Sequence, residues 1–457
     1  MTDLRSAAWA LTIRLVPQYP VHPLAPYPPL IVNAALTGMV GRRESVPALP
    51  VTVDQIVRDA WICHQLGATV LHLHARRDDG SPEWRPEVYA ELVTGVRERC
   101  PEAVICVSTS GREERQLERR AAVLALNGAA KPDMASLTLG SVDFATGTTV
   151  NVPETVDRLA ASMRAAGIKP ELELFDSGMA HTAHRLIEAG MVEEPAYANL
   201  ILGAHHAAPA TPRELVHLVE SLPHGTVWAG AGIGGFQLPI NAIAVFAGGH
   251  VRTGLEDNVR LGRESEEPAT NPRLVERVAA LAGIADRELA TPAQARSILG
   301  LEARHGRGFR IRPARLPRDR GPMLRVLETV NMHRIPSPEM HDFDLGRWYV
   351  AEDDGELIGV SGFRLLRKPE GTIGKTTLLA VHPDHREKGV GRALQELRLE
   401  LMRDEGALRV VTNADRPETI EWYQRNFGYM AVGRTPKLHE FGLVDVDHWT
   451  TLEAPLQ

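Results

Sequence analysis

From Leu30 onward the chain alternates short β-branched or apolar runs, each closed by a polar turn, with longer segments whose apolar positions recur at helical spacing. Eight short runs precede residue 300: LIVNAAL (30–36), TVLHLHA (69–75), VICVSTS (104–110), DMASLTL (133–139), ELELFD (171–176), ANLILG (198–203), TVWAGAG (226–232) and HVRTG (250–254). Amphipathic helices are expected between them at 53–66, 83–99, 113–126, 154–166, 182–189, 212–221 and 237–246, with a closing helical region near 270–298. Eight strands alternating with helices over about 270 residues meet the requirement of an α/β fold of the TIM (β/α)8 barrel type. A doubly wound open sheet is the alternative. The barrel domain is set at 30–300. Residues 1–29 carry six prolines and end in PLAPYPPL, which reads as an extended N-terminal arm because proline fixes φ and removes a ladder donor.

After a linker at 301–307 the pattern changes. Seven arginines fall between 304 and 320, read as a solvated face leading into an edge strand. WYVAEDD (348–354), ELIGVSGFRLL (356–366) and TIGKTTLLAVH (372–382) alternate as antiparallel strands joined by Asp-Gly and Glu-Gly turns. Helix 387–404, strand 408–412, helix 417–426 and two further strands complete an α+β domain at 308–457.

Composition narrows the function. Hydrophobic residues make up 44% and charged residues 24%, ordinary values for a soluble globular protein. With 51 basic and 58 acidic residues the net charge is −7, so no basic field exists to hold nucleic acid or an anionic membrane. Three cysteines are too few for a disulfide framework. No apolar run approaches the ~18 residues of a membrane span. A cytoplasmic protein acting on small molecules is the expectation.

The sharpest chemical feature is His72-Leu73-His74 near the end of the second strand. Residues i and i+2 of a strand point to one face, and the C-terminal ends of barrel strands are where active sites form. Two imidazoles there fit a metal. A third ligand is offered after the last strand by Glu256 of RTGLEDN, and two histidines plus one carboxylate form a catalytic zinc set. The competing reading makes Glu256 and Asp257 acids at a helix start. Asn33, near the end of the first strand, is taken as a neutral pocket-lining residue. The AGAGIGG stretch at 229–235 reads either as amides near a phosphate of coenzyme A or as a tight turn.

HLHAR at 72–76 followed by Asp79-Gly80, VSTSG at 107–111, PDMASLTLGS at 132–141, PELELFDSG at 170–178 and GGHVRTGLEDN at 248–258 together resemble the β-keto acid cleavage enzymes typified by 3-keto-5-aminohexanoate cleavage enzyme. The resemblance implies Zn2+ held by His72, His74 and Glu256, and reaction of a β-keto acid with acetyl-CoA to give acetoacetate and a new acyl-CoA. It also implies a catalytic dyad of Asp257 as base and Arg252 as its orienting cation. Ser108 then binds the substrate carboxylate, Glu173 is a polar pocket residue, and Ser136 and Thr138 alternate on the fourth strand as further candidates. A homo-oligomer is the expected assembly. Next to a cation and a metal, Asp257 is expected to stay ionised.

In the second domain, Arg386-Glu387-Lys388-Gly389-Val390-Gly391-Arg392 spells R-x-x-G-x-G between a strand and a helix, where backbone amides can meet a pyrophosphate. With Asn413 after the next strand and W-Y-x-x-x-F-G-Y at 422–429, this resembles the GNAT N-acetyltransferases. The resemblance implies acetyl-CoA lying along Leu379 and Val381 and over Arg386, Lys388, Gly389, Val390, Gly391 and Arg392. Tyr423 matches the tyrosine that protonates the departing thiolate. The fourth strand, GTIGKTTLLAV, lacks the glutamate that serves many relatives as base for the amine acceptor. A −7 chain that captures anionic coenzyme A twice needs local cations, expected at Arg252, Arg386 and Arg392. The bifunctional enzyme so described has one rival: a metal-dependent aldolase or hydrolase barrel whose C-terminal domain senses acetyl-CoA without catalysis.

Overall fold

Eight parallel strands close on themselves: β1 (Val32–Ala35), β2 (Val70–Leu73), β3 (Val104–Val107), β4 (Met134–Thr138), β5 (Lys169–Leu174), β6 (Tyr197–Leu202), β7 (Val227–Gly232) and β8 (His250–Thr253), with β8 returning to β1. The computed structural model describes residues 27–456 apart from 145–146, 263, 265, 305, 307, 333, 338–339, 341 and 439–440. Every residue of β1, β2 and β3 is buried, as expected where helices cover the outer face and side chains fill the inner one. The chain divides into two compact units, Met1–Gly306 and Arg307–Gln457. The proline-rich arm lies, except for residues 27–29, outside the described residues.

The helices begin where the local chemistry dictates. Thr52 accepts from the Gln55 amide while the Gln55 side chain caps back, starting Val53–Gln65, and proline stands in the first turn of Pro86–Arg99, Pro153–Ala166 and Pro212–Ser221. The floor of the barrel is apolar: Ile31, Val70, Val104, Met134 and Tyr197 pack on Ala295 and Leu299 of the helix Pro292–Ile298 and its end. Polar residues occupy the upper layers. Three details differ from the sequence reading. The 113–126 segment forms the helix Leu117–Ala121 followed by the 3-10 turn Ala122–Ala125. The closing region splits into Asn271–Ile284 and Pro292–Ile298. A hairpin not anticipated, Val142–Phe144 with Gly147–Thr149, follows β4.

The second unit is a seven-stranded sheet of β9 (Arg310–Pro313), β10 (Arg347–Asp353), β11 (Glu356–Lys368), β12 (Gly371–Val381), β13 (Ala407–Ala414), β14 (Met430–Pro436) and β15 (His448–Pro455), in the order β9-β10-β11-β12-β13-β15-β14. Only β12 and β13 run parallel. Their ladder covers Thr372–Lys375 and ends at Val411, although β12 continues to Val381 and β13 to Ala414. The two strands therefore part and leave a wedge. A bulge on the other side of β12, where Ser361 pairs with Leu379 but Phe363 with Thr376, bends the strand at the same place. This is the GNAT fold.

Two features here depart from the sequence reading. Helix Arg320–Glu328 was not anticipated, and it supplies Met323, Val326 and Leu327 to the core. The arginine run is only partly solvated: β9 is the expected edge strand, but Arg312 is buried, bonded to Asp319 and, at 2.7 Å, to Glu352.

Candidate active site

The C-terminal mouth of the barrel collects one dense cluster of ionisable groups. His72 and His74, on one face of β2 and its end, bring their Nε2 atoms to 3.2 Å. Glu256 reaches them from the turn after β8, with Oε1 3.3 Å from His74 Nε2 and Oε2 3.6 Å from His72 Nε2. Two glycines permit that approach. A Cβ on Gly254 (φ +148°) would stand 2.0 Å from the Ala35 carbonyl oxygen, and one on Gly38 (φ +60°) would stand 2.6 Å from Glu256 Cγ. Either side chain would drive Glu256 away from the histidines.

The three donors meet the requirement of a divalent ion. Atoms bonded to tetrahedral zinc at ~2.0–2.2 Å stand roughly 3.3–3.6 Å from one another, close to the spacings observed. Glu256 Oε2 is buried with no hydrogen-bond partner. The charge count points the same way. Four carboxylates, Glu171, Glu173, Glu256 and Asp257, lie within 4.0 Å of one guanidinium, that of Arg252, so further positive charge would be bound favourably. Burial pulls His72 down, but Glu171 and Glu256 outweigh it and hold its pKa near 9.

Glu171 is the residue that sequence reasoning undervalued. It shares a face of β5 with Glu173 but sits one layer deeper, 2.6 Å from His72 Nδ1, which leaves the lone pair of Nε2 directed at the cluster. Asn33 Nδ2 donates to Glu171 at 2.6 Å and to the Tyr197 hydroxyl at 3.3 Å, and the Cys106 thiol donates to Glu171 at 3.2 Å. The expectation for Asn33 is corrected: it is fully buried beneath the site and steadies Glu171 instead of lining the cavity. Cys106, His72 and Glu171 also lie close enough to share an ion, but burial raises the thiol well above its ordinary range. Cys106 donates its thiol proton to Glu171 in this arrangement.

Arg252 binds Asp257 in bidentate fashion, Nε to Oδ2 at 3.0 Å and Nη2 to Oδ1 at 3.1 Å, and reaches Glu173 Oε1 with Nη1 at 3.3 Å. Asp257 is nevertheless pushed upward, by burial and by the Glu256 carboxylate, against the pull of Arg252. Burial raises Glu173 as well. Arg252, expected to help capture coenzyme A, is buried and spends its N–H donors on these carboxylates.

The cavity above these groups is lined by His74, Ser108, Thr138, Glu173, Arg252, Glu256 and Asp257. Thr138 donates to Glu173 at 2.7 Å. Ser136 is a layer below, its hydroxyl accepting from the Thr109 amide and its carbonyl from the Thr109 hydroxyl, so of the two β4 candidates Thr138 faces the cavity. Met39, Val40 and Arg112 complete the wall. Arg76 fixes the loop that carries Met39 and Val40, donating to the carbonyls of Thr37, Gly38, Gly41 and Gly80. The Arg112 guanidinium lies 3.8 Å from the centre of the Phe144 ring on the unanticipated hairpin. The 229–235 stretch is the end of β7 and the start of the turn after it: the Ile233 amide bonds the Leu202 carbonyl, and the Gly234 amide bonds the Asp257 carbonyl at 2.7 Å.

In the second unit, Gly389 takes φ +84° immediately before the helix Val390–Asp404, leaving the amides of the helix start open to an anion. Val390 packs inward. Arg386 and Lys388 are exposed, and Arg392 pairs with Glu396 at 2.9 Å. Leu379 and Val381 lie on β12 beyond the bulge, and Asn413 on β13 has a buried Oδ1 with no partner. The buried Arg398 donates to the Tyr423 hydroxyl at 2.8 Å and to the carbonyls of Leu378 and Gly362 at the bulge. The Tyr423 hydroxyl thus accepts through its oxygen.

Fold and site together define a barrel enzyme with a metal-type, carboxylate-rich centre at the strand ends. The chain belongs to the β-keto acid cleavage enzyme family, whose profile matches residues 29–301. The profile of the GNAT acetyltransferase family matches residues 322–429. The chain is 41% identical over 276 residues to 3-oxoadipate:acetyl-CoA acetyltransferase of Cupriavidus necator, covering 60% of this chain and 95% of that one. It is 39% identical over 274 residues to 3-keto-5-aminohexanoate cleavage enzyme of Acetoanaerobium sticklandii, covering 60% and 98%. The solved ternary complex of ObcA with a C4-CoA adduct and oxalate shares the fold at a TM-score of 0.51 and 21% identity, over 56% of this chain and 68% of that chain. Acetyl-CoA-dependent cleavage of β-keto acids and an acetyltransferase domain follow from this membership. Among the described residues no helix is long and apolar enough to cross a membrane.

Proposed function

We propose that the barrel is a zinc-dependent cleavage enzyme for β-keto acids bearing a second, distal anionic group, and that the second unit transfers acetyl groups from acetyl-CoA to an amine. The observation that carries the first part is the convergence of His72, His74 and Glu256 at spacings suited to one ion beside the Arg252–Asp257 pair. A bound zinc ion would supply Lewis acidity to the keto oxygen.

The chain's own residues divide the remaining work. Ser108 and Thr138 hold the substrate carboxylate, and Arg252 aims the Asp257 carboxylate at C2. Asp257, its affinity for a proton raised by burial, removes one from C2. The C2 carbanion attacks the acetyl carbonyl and coenzyme A leaves as thiolate. That thiolate attacks C3, the C2–C3 bond breaks, and C2 takes the proton back from Asp257, giving acetoacetate and the new acyl-CoA. Glu171 holds the His72 ring throughout.

Arg112 and Phe144 support the anionic tail. They stand at the cavity wall, on the loop after β3 and the hairpin after β4, and the Cupriavidus relative is named for 3-oxoadipate, a β-keto dicarboxylate. Asn33, fully buried beneath the site, sets no preference for the tail. Purified enzyme supplied with acetyl-CoA should form acetoacetate, seen by mass spectrometry, and no acetoacetate from any β-keto acid would end the proposal. Arg112→Ala should lower kcat/KM for a dicarboxylate substrate by about 10- to 100-fold, the worth of a charged hydrogen bond, and leave a neutral-tailed substrate nearly untouched. Equal losses on both would remove the tail assignment.

For the second unit, Tyr423→Phe should cut amine-dependent release of coenzyme A by roughly 100-fold, at the lower end for general acid catalysis, with acetyl-CoA affinity unchanged. Unaltered turnover would favour a sensor in place of a transferase.

A further inference from the structure

At the end of the barrel away from the histidines, the residues before β4, the start of β5, the Met191–Glu193 loop and the stretch Gly300–Arg304 enclose a cavity of about 270 Å3. Its lining carries Lys131, Arg164, Lys169, Arg296 and Arg304 against Asp133, Glu193 and Glu302. Asp133 is already saturated with positive charge: Arg97 lies at 2.8 Å, Arg296 at 3.1 Å and Arg304 at 3.3 Å. Lys131, Arg164 and Lys169 have no carboxylate within 4.0 Å among the described residues. The Lys169 ammonium makes one hydrogen bond, to the Glu193 carbonyl at 3.5 Å, while burial pulls its pKa down.

An ammonium withdrawn from water without a counter-ion costs free energy, and an anion that enters beside it recovers that cost. Lys131 and Lys169 are half-buried at the cavity wall and Arg164 is exposed at its rim. Here three cations that face one cavity form no ion pair within 4.0 Å among the described residues: Asp133 is held by other arginines, Glu193 acts on Lys169 only from a distance, and the five cations of the lining outnumber its three carboxylates. We propose that this floor cavity is a binding site for a small dianion, a phosphate group or a dicarboxylate, held by Lys131, Lys169 and Arg164. The site is separate from both acetyl-CoA sites. Lys169 opens β5, and Glu171 and Glu173 follow it at i+2 and i+4 on the same face. An occupant of the floor therefore bears on the strand that holds His72, and changes the cleavage rate through it.

The test uses the full chain saturated with coenzyme A, so that both coenzyme sites are filled, and titrates inorganic phosphate and then succinate by calorimetry. Saturable binding of either is expected, the tighter one identifying the source of the dianion. Lys131→Gln/Lys169→Gln should weaken it at least about tenfold, as loss of charged hydrogen bonds would. Arg164→Gln, at an exposed position, should weaken it in the same sense, and thermal unfolding checks that each variant is folded. No saturable binding, or equal affinity in wild type and both variants, overturns the site. A change in cleavage rate on adding the anion that disappears in the variants supports the coupling, and binding with no such change overturns the coupling alone.

Discussion

Arg252→Gln is expected to abolish cleavage and to destabilise the barrel by roughly 3–5 kcal/mol, the cost of breaking a buried ion pair by removing one partner. One guanidinium answers four carboxylates, at 2.9 Å from Glu256, 3.0 Å from Asp257, 3.3 Å from Glu173 and 3.9 Å from Glu171. Glutamine keeps the volume and part of the hydrogen bonding but removes the charge, so the carboxylates repel one another in a buried site. Asp257 loses both bonds that aim it. Arg252→Lys should restore part of the stability but little activity, because an ammonium cannot make the bidentate contact. Chemical denaturation gives the first quantity and acetoacetate formation the second. A stable and active Arg252→Gln enzyme would show that the cluster does not depend on this cation.

His72→Ala is expected to empty the metal site and bring cleavage to background, with the fold intact. The residue offers Nε2 to the ion and its ring is anchored from behind by Glu171. Glu171→Gln should be milder, lowering zinc affinity by about 10- to 100-fold, as loss of a carboxylate behind a metal-bound histidine does. Elemental analysis after dialysis reads the metal content of both variants, and added zinc should rescue Glu171→Gln but not His72→Ala. Stoichiometric zinc retained in His72→Ala would move the site elsewhere.

The residues themselves made much of this centre legible. Strand alternation places His72 and His74 together, and a turn after the last strand brings Glu256 and Asp257 over the mouth. Depth along a strand was not legible. Glu171 and Glu173 share a face, as do Ser136 and Thr138, yet in each pair the first member is locked into packing and the second reaches the cavity. Asn33 was misplaced for the same reason. The hairpin at Val142–Thr149 is too short to produce a period, so Phe144 and its partner Arg112 escaped notice. In the second unit, Gly321 and Pro322 at the start of Arg320–Glu328 and the arginines around it concealed a helix that buries Met323 and Leu327. The run of arginines there signalled exposure, but Asp319 within the run and Glu352, distant in sequence, meet in space and drew Arg312 inward.

On the proposed reading, the groups that do chemistry and the groups that meet the distal tail stand on different parts of the barrel. His72, Glu171, Glu173 and Arg252 belong to strands, whereas Arg112 comes from the loop after β3 and Phe144 from the hairpin after β4. Substrate choice and reactivity are thus separable under mutation. A lineage that exchanges the β3 loop and the hairpin can acquire a new keto acid while inheriting an unchanged carbon–carbon cleaving centre, and a protein engineer has the same freedom.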